Sequence, residues 1–278
     1  MNSLSLAGVL FLLSVGLSLI FGLMRIPNLS HGGLFMLGAY VGYGVQDSTG
    51  SFVLALLAGG AAAGVVGVVL ERVLLRRLGS NENAQVLATI GVTFIIADAV
   101  IHVWGGDPHS VFPPEFLAGS LSLMEMTVPK YRLALILVAV IAALSIWLLI
   151  DRTRLGAMLR AGVDDRQMAA GVGIPIFRLF SLVFALGAAL AGMGGVLAAP
   201  VLSAYPGLDL DMLPLALIVV ILGGIGSLPG ALCGSVLIGF VYTFGQALLP
   251  DLAYVVLFLP MVIVLALRPQ GLFGRVPV

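Results

Sequence analysis

Side chains able to do chemistry are few in this chain and far apart. Histidines stand at 31, 102 and 109, and the single cysteine is Cys233. That spacing offers neither a nucleophile with its base nor a metal-ligand set, which argues against an enzyme. Asp98 and His102 are different: they sit one helical turn apart inside a long apolar run. A charge within a bilayer costs on the order of 2.5–3.5 kcal/mol, so this pair must face each other, a cavity or a partner subunit. A mutually satisfied structural pair is the first reading and the lining of a pathway the second. Two polar stretches interrupt apolar surroundings, one in each half: residues 25–33 (RIPNLSHGG) and 223–230 (GGIGSLPG). The second carries no lysine and follows no soluble strand, so it is not a nucleotide-binding loop. Irregular backbone at membrane depth is tolerated only beside protein or a water-filled cavity. Asn28, Ser30, His31, Gly224, Gly226 and Ser227 are therefore candidate pathway residues, although for the first three capping of a following helix is the first reading and solute contact the second.

Most of the charge gathers in residues 151–178, DRTRLGAMLRAGVDDRQMAAGVGIPIFR. The stretch holds five arginines and three aspartates in a chain that is only 9% charged. Its middle reads as a short helix, with Asp164 or Asp165 as N-cap, Gly173 as terminator and Pro175 blocking continuation. On that helix Met168, Ala169 and Val172 share one face, with Asp165 and Arg166 at its start. The result is an apolar knob with a charged collar, suited to the grip of a soluble protein. The bland alternative is a loop whose arginines only set topology.

The elements that must position these residues are membrane spans. Apolar residues make up 60% of the 278, mean hydropathy is +1.18, and apolar runs near 20 residues recur throughout. This predicts an all-α, polytopic transmembrane helical bundle forming a single domain over residues 1–278, with no room for a soluble domain. Runs at 4–24, 34–45, 52–70, 86–104, 132–150, 179–199, 213–222, 231–248 and 252–267 give eight or nine crossings. The second and seventh are short and read as tilted, re-entrant or broken. The first lacks a basic n-region and reads as a retained span. The 36 glycines suggest close helix packing, for which Gly38-x-x-x-Gly42, Gly60-x-x-x-Gly64 and Gly230-x-x-x-Gly234 are candidates. With nine crossings, eleven of the thirteen basic residues fall on the side of the 151–178 loop, leaving only Lys130 and Arg132 opposite. That bias makes the loop and the C-terminus cytoplasmic. Basic residues confined to loops give no sign of nucleic-acid binding.

Several segments carry a resemblance. Gly16-Leu-Ser-Leu-Ile-Phe-Gly22, Met24-Arg25, Asn28-Leu-Ser-His31-Gly32 and Met36-Leu-Gly-Ala-Tyr40 resemble the opening of LivH-type permeases of branched-chain amino-acid ABC importers. Thr153-Arg-Leu-Gly156, Arg160-Ala161, Asp165-Arg166, Ala169-Ala170 and Gly173-Ile174 resemble that family's central cytoplasmic loop. Phe184-Ala-Leu-Gly-Ala-Ala-Leu-Ala-Gly192 and Leu222-Gly-Gly-Ile-Gly-Ser-Leu-Pro-Gly-Ala231 continue the match in order. The chain departs from the family at Gly33, often acidic there, and at Gln167, commonly Glu. The resemblance implies a non-catalytic inner-membrane subunit without a cofactor, ATP being bound by partner subunits. It implies a second permease, two cytoplasmic ATPases and a periplasmic binding protein as partners, and alternating access as the mechanism. Arg160, Asp164, Asp165, Arg166, Met168, Ala169, Val172 and Gly173 then form the ATPase-coupling segment. The loops at 105–131 and 202–211 would meet the binding protein through Asp107, Glu115, Glu125, Asp209 and Asp211. Along the pathway, helix-start N–H groups would receive a solute carboxylate, while Asn28, Ser227 and free carbonyls receive its ammonium. Bulky residues at Gly224 or Gly226 would then block passage more than folding. Family relatives carry urea, amides and other small organic solutes, which stay open as substrates. An ion-coupled secondary transporter is the competing class, with Asp98 and His102 its one candidate ion site.

Overall fold

The computed structural model describes residues 1–24, 26–79, 81–123 and 126–274. Arg25 and Glu125, named above, lie outside the described residues, as does Arg275, one of the eleven basic residues placed on the side of the 151–178 loop. The helices in chain order are α1 (Asn2–Met24), α2 (His31–Thr49), α3 (Phe52–Val69), α4 (Arg76–Leu78), α5 (Glu82–Trp104), α6 (Lys130–Arg152), α7 (Arg154–Asp164), α8 (Arg166–Gly171), α9 (Ile176–Leu202), α10 (Leu208–Gly223), α11 (Leu228–Leu248) and α12 (Ala253–Leu267). A π-helical turn, Leu70–Leu75, joins α3 to α4 without a break. The only strands among the described residues, β1 (Ser120–Leu123) and β2 (Met126–Pro129), pair antiparallel between α5 and α6, Ser120 opposite Pro129. By length and apolarity, six helical stretches can cross a membrane: Asn2–Gly22, Phe52–Leu78, Glu82–Trp104, Lys130–Arg152, Ile176–Leu202 and Leu228–Leu248. The more polar α2 and the shorter α10 and α12 pack among them, so the polytopic all-α bundle expected from composition is the observed one.

The long α9 is the axis, and glycine lets three helices press onto it. A Cβ at Gly38 of α2 would stand 2.2 Å from the Gly192 carbonyl, and one at Gly16 of α1 would stand 2.4 Å from that of Gly187. Gly60 and Gly64 of α3 meet Met193 and Ala189 on the same helix. In α11, Gly230 and Gly234 lie against Gly223 and Val219 of α10. All three small-residue spacings noted in the sequence therefore mark real helix contacts, where side chains leave room for backbone dispersion contact.

The charged ends sort by position. The end where α1, α3/α4, α6 and α10 finish and α5, α9 and α11 begin carries the arginines of α4 and of residues 151–178. Its members are linked directly: Arg76 reaches Phe177 and Ser181, and Gly22 touches Gly226. The β-hairpin marks the opposite end, where His109 bridges to Ala204 and stacks on Tyr43 at 4.3 Å.

Two elements are longer than the apolar runs that announced them. The second segment, read as 34–45, is a 19-residue helix closed by Gly50 at φ 70°. Its polar ends are accommodated because the first turn is buried inside the bundle and the last turn lies at the hairpin end. The seventh, read as 213–222, starts at Leu208 and so takes Asp209 and Asp211 into its first turn, where carboxylates complement the helix dipole. Asp209 is 3% exposed. It is thus part of the bundle and not of a docking surface, which corrects the role given to it above.

Candidate functional site

At the arginine-rich end two short helices form a platform. Thr153 caps α7, its hydroxyl accepting from the Gly156 N–H at 3.3 Å. Asp165 caps α8, one carboxylate oxygen accepting from the N–H groups of Gln167 and Met168, each at 2.9 Å. Gly173, at φ 88°, ends the segment, and the Ile174 N–H donates back to the Ala169 carbonyl at 3.1 Å. That left-handed residue is cheap only for glycine.

The three apolar residues expected on one face of this helix divide. Met168 is 67% and Val172 72% exposed, whereas Ala169 is 3% exposed. Successive helix positions are about 100° apart, so with Met168 outward Ala169 turns in. Val172 has already left the helix, at φ −85° and ψ 9°, and is free to point out again. Ala169 packs with Ile176 and Phe180 of α9 and with Leu70 and Leu75 of the π-turn. It roots the knob in the bundle and is not part of the exposed tip. Arg160 is also tied down: its guanidinium donates to the Ile150 carbonyl and pairs with Asp151 at 3.4 Å, clamping α7 to the end of α6. Asp164 is exposed, and Arg166 supplies the first residue of α8.

Beside this platform lies a buried cluster that the sequence reading missed. Glu71, 3% exposed, accepts from Arg76 at 3.0 and 3.1 Å and from the Ser181 hydroxyl at 2.6 Å. Arg76 also lies over the Phe177 ring, 5.2 Å from its centroid. Residues five apart meet only because the π-turn carries an Arg76 N–H to Glu71 carbonyl bond, the i→i+5 pattern. The Glu-Arg-x-x-x-Arg spelling was visible, but α-helical spacing would set the two side chains on different faces. A cavity of about 390 Å³ opens here between α1, α5, α7 and α9, with Glu71, Arg76, Gln85 and Phe177 on its walls.

Of the two polar breaks, the first lies deep. Asn28, Ser30 and His31 are 1%, 0% and 0% exposed. The Asn28 carboxamide oxygen accepts from the Ser30 N–H at 3.2 Å and hydroxyl at 2.6 Å. The His31 Nε2–H donates to the Leu13 carbonyl at 3.0 Å, midway along α1. Two threonines of α5 satisfy the backbone at Leu29: Thr89 accepts from its N–H and Thr93 donates to its carbonyl, each at 3.2 Å. Asn28 thus closes a turn ahead of α2, but the N-cap residue Ser30 makes no side-chain bond to the helix, so the expected cap is not formed; among the described residues the Asn28 Nδ2 and His31 Nδ1 find no partner. The second break sits at the arginine-rich end. Ser227 caps α11 by accepting from the Gly230 N–H at 3.1 Å, and the Gly226 N–H donates to the Ser18 hydroxyl at 3.1 Å. The C-terminal tail covers Gly224, with the Leu272 and Phe273 N–H groups donating to the Leu222 and Gly223 carbonyls.

The structure does not bring these two breaks together. What faces the first is the start of α10: a Cβ on Gly32 would lie 2.7 Å from the Asp209 carbonyl. Asp98 and His102 both lie on the exposed face of α5. Among the described residues neither has a hydrogen-bonding or ionic partner, so the expected mutual pair is not formed.

A glycine-seamed polytopic bundle, with a short helix rooted in it and an exposed apolar tip at its arginine-rich end, has the build of a membrane transport subunit. The sequence matches the family described as branched-chain amino acid transport system / permease component over residues 1–265. The chain belongs to that family. It is 29% identical to the high-affinity branched-chain amino acid transport system permease protein BraD of Pseudomonas aeruginosa, covering 99% of this chain and 94% of that protein. It is 27% identical to the corresponding LivH of Salmonella typhimurium and of Escherichia coli K12, with the same coverage. No solved structure matches it.

Proposed function

We propose that this chain is the inner-membrane permease subunit of an ABC importer for branched-chain or closely related small amino acids. A second permease, two ATPases and a periplasmic binding protein complete the assembly, and the chain itself hydrolyses nothing and binds no cofactor. Its arginine-rich end and C-terminus face the cytoplasm. The observation that carries this reading is the α8 tip: Met168 and Val172 project while Ala169 anchors the same helix to α9 and the π-turn. A soluble ATPase closing over that tip can push on α9, the axis of the bundle, and rock the subunit between outward- and inward-open states.

The test is association. M168D and V172D each place an unpaired charge under the docked ATPase, a burial that costs several kcal/mol. Both variants are expected to insert normally and to lose the ATPases on purification in mild detergent. Full retention of the ATPases by both rejects α8 as the coupling helix. Uptake into proteoliposomes that needs no ATPase and follows an ion gradient rejects the importer class.

A further inference from the structure

The cavity at the arginine-rich end has walls that the docking of an ATPase does not account for. At about 390 Å³ it falls within the range of small-molecule sites, about 300–1,000 Å³, which are mostly apolar with a few convergent polar groups. Met24, Ile26, Leu75, Val163 and Phe180 supply apolar walls, while Arg76 and Glu82 supply opposite charges.

Glu71 is not free for a ligand. Its Oε1 accepts from the Nε and Nη2 of Arg76, and its Oε2 from that Nη2 and the Ser181 hydroxyl. Its role is to fix the guanidinium in place. Arg72 Nε donates to the same hydroxyl at 3.5 Å, so two guanidinium groups share one buried carboxylate and a positive charge is left over. Among the described residues the Arg76 Nη1 makes no hydrogen bond, and the Glu82 carboxylate, on the first turn of α5, has no hydrogen-bonding or ionic partner. A fixed guanidinium receives a carboxylate well. A free carboxylate on another wall receives an ammonium, and the apolar surface receives an aliphatic side chain.

The position of the cavity matters as much as its chemistry. Leu75 and Phe180 of its wall also pack on Ala169, the root of α8. A solute seated here touches α5, α7 and α9 together, behind the helix that the ATPase grips. Binding the state with this cavity open more tightly than the other shifts the population toward that state.

We propose that this cavity is a feedback site for a zwitterionic amino acid with an aliphatic side chain, the product of import, whose occupancy from the cytoplasm slows the transport cycle. Its carboxylate meets the Arg76 Nη1, its ammonium Glu82, and its side chain Ile26 and Phe180. The inference rests on the importer reading above and adds to it a second solute site, separate from any translocation pathway.

The experiment uses the full transporter in proteoliposomes, with the ATPases and ATP in the lumen and the binding protein outside. Initial uptake of labelled leucine is measured with unlabelled leucine, leucinamide or 4-methyl-2-oxopentanoate trapped in the lumen. Luminal leucine at about five times its dissociation constant should slow uptake about sixfold, following 1 + [L]/Kd. The amide, lacking the carboxylate, and the keto acid, lacking the ammonium, should leave the rate unchanged. E82Q and V163W, the latter filling the cavity from α7, should take up leucine at the parental rate and escape the inhibition. Equal inhibition by the keto acid makes this an anion site and overturns the zwitterion assignment. Unchanged uptake over luminal leucine, or inhibition undiminished in both variants, overturns the feedback site and leaves the importer reading standing. Uptake by the parent without ATP removes both. Should both variants fail to assemble, the luminal series on the parent, with equilibrium dialysis of labelled leucine against the transporter free of binding protein, decides: absence of binding overturns the site.

Discussion

The breaks at residues 25–30 and 224–227 look alike in sequence, each a few polar residues with glycine or proline between apolar runs, yet they solve different problems. The first turns back into the bundle so that α2 starts at the depth of Leu13, and side chains satisfy its backbone: Asn28 on Ser30, and Thr89 and Thr93 on Leu29. The second remains at the arginine-rich end, where main chain shares the task with two serines: the tail donates to Leu222 and Gly223, Ser18 accepts from Gly226, and Ser227 accepts from Gly230. Buried turns need side-chain partners because water is absent. A turn at the end can be covered by another strand of backbone, provided no Cβ intervenes. The counterpart of the first break is the stretch before α10, whose Asp209 meets Gly32.

The comparison predicts different responses to mutation, the largest at the glycine-only site. Gly226 has φ 77°, and a Cβ there stands 3.0 Å from the Gly22 Cα. G226V combines backbone strain with overpacking, each on the order of 1–3 kcal/mol. Thermal unfolding in detergent should show a clear loss of stability, contrary to the expectation that bulk there impairs passage more than folding. A G226V protein as stable as the parent, with uptake abolished, would restore the pathway role of this break.

N28A comes next. It removes the acceptor for both Ser30 donors in a buried site, a loss of about 1–3 kcal/mol. Melting should drop and uptake fall modestly, with the order of preference among solutes unchanged. A changed preference at constant binding protein would make Asn28 a specificity residue. T89V should have the smallest effect, because it orphans a single N–H on Leu29, at about 1 kcal/mol. Together with N28A it should be more than additive, since both act on the same turn. Strict additivity would separate Thr89 from the break.

Much of the local structure was legible in order along the chain. Asp165 is a capping residue by type and position and Gly173 a terminator, and both do what their neighbours within a few residues require; Ser227, read only as a pathway residue, is a cap as well. The apolar runs announced most spans, and the small-residue spacings of α2, α3 and α11 marked contacts that exist. These signals are readable because they depend on helix periodicity and on hydrogen bonds closed within about four residues. Tertiary structure decided the rest. The depth of Asn28 depends on threonines some sixty residues away, and the Gly226 turn on Ser18, 208 residues distant. The pairing of Glu71 with Arg76 needed a π-turn that no α-helical periodicity implies, and the inward turn of Ala169 needed α9 beside it. Asp98 and His102 have the right spacing to satisfy each other, yet both stand apart on an outer face. Spacing along a helix sets which residues share a face, but only packing determines what that face meets.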